Sequence, residues 1–90
     1  MNLTDKITIS PQAIARQLDD ETVILHLGSG TYFGLDPVGA RIWQLMGEGK
    51  TLVEICEVML EEYDVSREDV ERDTMKLVQD LLTRDLVSPS

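Results

Sequence analysis

The segment Thr22–Asp36, TVILHLGSGTYFGLD, constrains the fold more than any other stretch of the chain. Thr22–Leu27 is rich in β-branched and apolar residues, and Gly28-Ser29-Gly30 is a turn. Thr31–Leu35 is a second short run with two aromatics. Together they predict a β-hairpin. The helical patterns all lie downstream, so the hairpin is the wall that the helices must cover. A short sheet also ends in an edge strand, whose unpaired N–H and C=O groups can receive another extended chain.

Upstream, Lys6–Ser10 (KITIS) alternates and is stopped by Pro11, which suits an edge strand or an extended arm. Gln12–Leu18 (QAIARQL) runs into the polar turn Asp19-Asp20-Glu21 and predicts the first strand of a three-stranded antiparallel meander. In the next strand, Val23, Leu25 and Leu27 point one way while Thr22, Ile24 and His26 point the other. The first set is expected to face the core. In the last strand Phe33 and Leu35 are expected inward, with Tyr32 and Gly34 outward. Gly34 has two readings: no side chain is needed where a strand turns into a helix, or a bare position lets another backbone approach.

Three helices follow, each with a start signal. Asp36-Pro37 places an N-cap and a first-turn proline, and Val38, Ile42, Leu45 and Met46 recur at helical spacing until Gly47 and Gly49, with Trp43 as a core anchor. Thr51-Leu52-Val53-Glu54 is a capping box, followed by the apolar face Leu52, Ile55, Cys56, Met59 and Tyr63. Ser66-Arg67-Glu68-Asp69 opens a longer helix to about Thr83 with acidic charge in its first turn. Val70, Thr74, Leu77, Val78 and Leu81 cover one face, and Met75 and Leu82 widen the stripe. The chain closes with the apolar pair Leu86-Val87 and a polar tail. Strands then helices give an α+β, winged-helix-turn-helix-like arrangement: a three-stranded antiparallel sheet followed by three helices.

Ninety residues with 42% hydrophobic content suit one domain spanning residues 1–90. The net charge of −9 argues against nucleic acid, whose binding draws on neutralised phosphates. It keeps the protein in solution or favours a basic partner. One cysteine, Cys56, permits no intrachain disulfide. The N-terminus lacks the regions of a signal peptide, and no apolar run approaches a membrane span, so a soluble cytoplasmic protein is expected. His26 stands without a ligand or catalytic partner, and Cys56 suits a small core residue. Gly28-Ser29-Gly30 lacks the strand–glycine loop–helix context that holds phosphate. These residues predict a protein that is not an enzyme, with no metal site and no cofactor.

Gly30–Val87 resembles the PqqD-like family through an ordered set of residues: Gly30, Tyr32-Phe33, Leu35-Asp36, Gly39, Ile42-Trp43, Thr51, Tyr63 and Leu86-Val87. Asp36 stands where asparagine is common, and both residues cap helices. The resemblance implies a RiPP recognition element, which binds the leader segment of a ribosomally made precursor peptide. In the family the leader adds as a strand to the third β-strand, beside the third helix. Carried over, the strand side is Thr31, Tyr32, Phe33, Gly34 and Leu35, and the helix shoulder is Glu71, Met75, Val78 and Leu82. Asp73, Leu77 and Asp80 flank the other side of the same stripe. An apolar pocket is expected from Met75, Val78 and Leu82 with Tyr32 or Phe33. Glu71, Asp73 or Asp80 would meet basic leader residues.

The free-standing length and the YFGLDPVGARIW wording look most like leader-binding subunits of lasso-peptide biosynthesis. That implies a cysteine-protease leader peptidase as partner, with a cyclase acting afterwards. The alternative within the family is the peptide chaperone of pyrroloquinoline quinone synthesis. From other classes come a winged-helix nucleic-acid-binding protein and a structural adaptor whose sheet edge pairs with its own copy.

Overall fold

Alternation and turn chemistry build the first half of the chain, and helix caps build the second. The computed structural model describes Asn2 and residues 4–89. Strand β1 (Ile7–Ile9) comes first, then β2 (Ala13–Leu18), β3 (Glu21–His26) and β4 (Tyr32–Leu35) form an antiparallel sheet in the order β2-β3-β4. Between β2 and β3, Asp19 takes the left-handed backbone (φ 56°) that a tight turn demands and that aspartate tolerates. Between β3 and β4, Gly30 does the same at φ 72°, and its N–H donates to the His26 carbonyl at 2.8 Å.

Helices α1 (Pro37–Gly47), α2 (Leu52–Glu62) and α3 (Arg67–Thr83) begin where the caps predict. Asp36 Oδ1 accepts from the Gly39 N–H at 2.7 Å. Thr51 Oγ1 accepts from the Glu54 N–H at 3.3 Å, and Glu54 Oε1 accepts from the Thr51 N–H at 2.8 Å. Ser66 Oγ accepts from the Asp69 N–H at 3.2 Å. Each cap satisfies donors that a helix start otherwise leaves free. Arg41 in the first half of α1 reaches Glu62 at the end of α2 at 2.6 Å and ties the two helices together.

The tail brings a strand that the sequence reading did not anticipate. β5 (Val87–Pro89) pairs antiparallel with β1, Ile9 opposite Val87 and Ile7 opposite Pro89, as a separate two-stranded sheet. Ile7, Leu86 and Val87 are all buried there. The apolar pair that looked like a loose end is therefore core, and the KITIS segment is its partner strand.

The core joins Ile24 and Leu35 of the sheet to Ile42, Leu45, Leu52, Ile55, Val78 and Leu81 of the helices. Here the expected faces of β3 are reversed. Ile24 is fully buried, Val23 and Leu25 are only half-buried, and Leu27 is 55% exposed. The reason is register: Ile24 lies opposite Phe33 and Thr22 opposite Leu35. Residues directly opposite in a ladder share a face, so an inward Phe33 and Leu35 require an inward Ile24. Ile24→Ala should therefore cost ~2–5 kcal/mol of stability, and Leu27→Ala less than ~0.5 kcal/mol, as read by urea denaturation.

Candidate functional site

The site begins with a backbone property of β4. Among the described residues its only neighbour in the sheet is β3. The His26 N–H donates to the Thr31 carbonyl at 2.9 Å, so this is a hydrogen-bonded pair of the ladder. Such pairs alternate with non-bonded ones along an antiparallel ladder. With the register fixed, Phe33 and Leu35 direct their N–H and C=O groups toward β3. Tyr32 and Gly34 direct theirs to the open edge. The β1 segment, which an extended arm could have laid along that edge, is paired with β5 instead.

A cleft of about 300 Å³ runs beside this edge, between β4, the start of α1 and one shoulder of α3. Phe33, Leu35, Val38, Ile42 and Leu77 give it apolar walls. Asp36, Asp73 and Asp80 bring carboxylates to it, against the single ammonium of Lys76. Beyond Val38, Ile42 and Asp73 it adjoins a smaller apolar hollow of about 150 Å³ between the three helices, edged by the exposed Val65.

The strand residues named from the sequence fall into distinct roles. Phe33, Gly34 and Leu35 line the cleft. Tyr32 is 70% exposed on the opposite face of the sheet. Thr31 sits at the mouth of the turn, where its hydroxyl lies 2.8 Å from that of Ser29. Gly34 has no positive φ, and a Cβ there would meet nothing within 4 Å.

On α3 the cleft takes Asp73, Leu77 and Asp80, and leaves out Glu71, Met75, Val78 and Leu82. Two observations explain this arrangement. Val78 is fully buried, with Met75 and Leu82 packed against the core around it. Glu71 lies toward Cys56 of α2: burial pushes the Cys56 thiol up, the Thr74 hydroxyl pulls it partly back, and the Glu71 carboxylate raises it again. The shoulder about half a turn round from Glu71 faces the sheet.

Two features in or beside the cleft escaped sequence reasoning. Lys76 lies on what reads as the solvated side of α3. Arg84, just past the end of α3, places its guanidinium 4.7 Å from the centre of the Phe33 ring and donates to the Asp80 carbonyl at 3.1 Å. Such a cation–π contact contributes roughly 0.5–1 kcal/mol at an exposed site. It joins residues fifty-one positions apart, so no local pattern announces it.

The residues with chemical potential have structural employment. His26 Nδ1 accepts from the Ser29 N–H at 3.2 Å and closes the hairpin turn. Cys56 has no solvent exposure. Among the described residues, no group of three or more His, Cys, Asp or Glu side chains is placed to hold a metal. No helix among them is long and apolar enough to cross a membrane.

Comparison with known proteins points one way. The family "Coenzyme PQQ synthesis protein D (PqqD)" matches residues 21–87. Among solved structures, the chain is similar to "TbiB1 in Complex with the TbiA(beta) Leader Peptide", with 46% identity over 90% of this chain and 94% of that one, at a TM-score of 0.84. It is also similar to "Lasso peptide synthetase B1 complexed with the leader peptide", with 30% identity over 93% of this chain and 99% of that one, at a TM-score of 0.86. No curated protein sequence matches. Since nothing in the chain's own packing demands a bare position at residue 34, Gly34→Ala should leave stability within ~0.5 kcal/mol, measured by urea denaturation.

Proposed function

The chain belongs to the PqqD family, and we propose that it captures the leader segment of a ribosomally synthesised precursor peptide. The leader adds as a strand to β4 and is delivered to a leader peptidase of lasso-peptide biosynthesis. One observation carries this reading: among the described residues no strand pairs with the outer edge of β4, which lies along an apolar, acid-rimmed cleft. Two relatives of the same fold are solved with leader peptides bound.

Strand addition divides the work between backbone and side chains. Tyr32 and Gly34 offer hydrogen bonds that any extended chain can use, each contributing roughly 0.5–1.5 kcal/mol net. Selectivity then falls to alternate guest side chains that enter the cleft. Apolar ones rest on Phe33, Leu35 and Leu77, and a basic one meets Asp73 or Asp80. The net charge of −9 speeds the encounter with a basic guest and repels an acidic one. The same charge disfavours nucleic acid.

In this reading residues 1–90 form one recognition domain that works in the cytoplasm and catalyses nothing itself. Its partners are the leader, the cysteine-protease subunit that removes it and the cyclase that acts afterwards.

The test is fluorescence anisotropy with a labelled synthetic leader peptide of a lasso-peptide precursor. Leu77→Asp, and separately Asp73→Lys with Asp80→Lys, should each weaken binding ~10-fold or more, equivalent to ~1.4 kcal/mol. Glu71→Lys, on the far shoulder, should change it less than about twofold, a difference of well under 1 kcal/mol. Equal effects from both shoulders, with circular dichroism showing folded variants, would refute the cleft.

A further inference from the structure

The cleft has two walls, and one contact just outside it joins them. Phe33 of β4 and Asp80 of α3 both line the cleft, and Arg84 does not. Arg84 nonetheless holds both. Its guanidinium lies 4.7 Å from the centre of the Phe33 ring, and its Nη1 donates to the Asp80 carbonyl at 3.1 Å. The Arg84 N–H donates to the Leu81 carbonyl at 3.2 Å, which fixes residue 84 to the last turn of α3.

Both partners have an alternative that would close the site. Arg84 follows Asp80 by four positions, the helical spacing at which an arginine and an aspartate pair. Among the described residues no ion pair joins them. The guanidinium meets the backbone oxygen of Asp80 and the ring instead. Phe33 is only partly buried, and an open cleft of about 300 Å³ with apolar walls lies beside it. A ring so placed gains by turning into the cleft, which removes apolar surface from water on both sides. The cation over the ring opposes that turn, because turning breaks the contact. The ring in its place draws the cation away from the Asp80 carboxylate, which stays open to a basic guest.

We infer that Arg84 is a positioning residue for leader capture: acting through Phe33, it holds the cleft in its guest-accepting form without touching the guest. This rests on the leader-capture reading and deepens it. Part of the affinity then resides in a contact that the guest never makes. When the accepting form is only partly populated, apparent affinity falls by that fraction.

The sign of the effect separates this role from plain electrostatics. An acid-rimmed cleft favours a basic guest, so charge alone makes capture tighter when a nearby cation is removed. The positioning role makes it weaker.

Arg84→Gln removes the charge and keeps a polar side chain. Stopped-flow anisotropy with a labelled leader peptide of a lasso-peptide precursor reads its affinity and both rate constants. The variant should bind ~2- to 5-fold more weakly, the span of one cation–π contact, through slower association with dissociation unchanged. Arg84→Lys, which keeps a cation for the ring, should recover most of the loss. In a Phe33→Leu background, Arg84→Gln should add no further loss, since the two residues act as one unit. Binding by Arg84→Gln as tight as wild type, or tighter, would overturn the inference. So would an equal loss with and without the Phe33 ring, which would make Arg84 a direct contact of the guest. A loss that follows a fall in Tm would also overturn it, leaving Arg84 a general stabiliser. Failure of the wild-type chain to bind the leader would remove the capture reading itself, and this inference with it.

Discussion

The register between β3 and β4 is the constraint on which the rest of the structure depends. It is locked by the turn at Gly30 and by the pair His26–Thr31. From it follow two things at once. Ile24, Phe33 and Leu35 turn toward the helices and join the core, and Tyr32 and Gly34 turn their backbone groups to the open edge. A slip of one residue would exchange both sets. Burial on one face thus enforces the presentation of hydrogen-bonding groups at the edge.

The helical half was legible in the sequence because its signals are local. Asp36-Pro37, Thr51 with Glu54, and Ser66 are caps that act within three residues, and each helix starts where its cap stands. The strands were legible as segments, since alternation and turn residues mark them. Which face of β3 is buried was not, because Val23, Leu25 and Leu27 are as apolar as the side that packs. Only the long-range pairing with Phe33 and Leu35 decides it. The β5 strand escaped for a related reason: three residues ending in proline carry almost no strand signal without their partner β1.

At the site, the strand half could be read and the helix half could not be resolved. The apolar stripe of α3 has two shoulders, and sequence spacing treats them alike. The choice depends on which shoulder lies beside β4, a contact between distant segments of the chain, and Asp73, Leu77 and Asp80 are the ones that do. Arg84 belongs with them only in space, where it caps the Phe33 ring and helps hold the last turn of α3 against β4.

The pairing of β1 with β5 bears on how the edge stays available. A strand tethered in the same molecule acts as an internal competitor at an effective concentration on the order of millimolar. Free to roam, the KITIS segment would outbid a guest present at far lower concentration for the border of β4. Stowing it on the C-terminal strand, with Ile7 and Val87 buried in the core, takes that rival out of play.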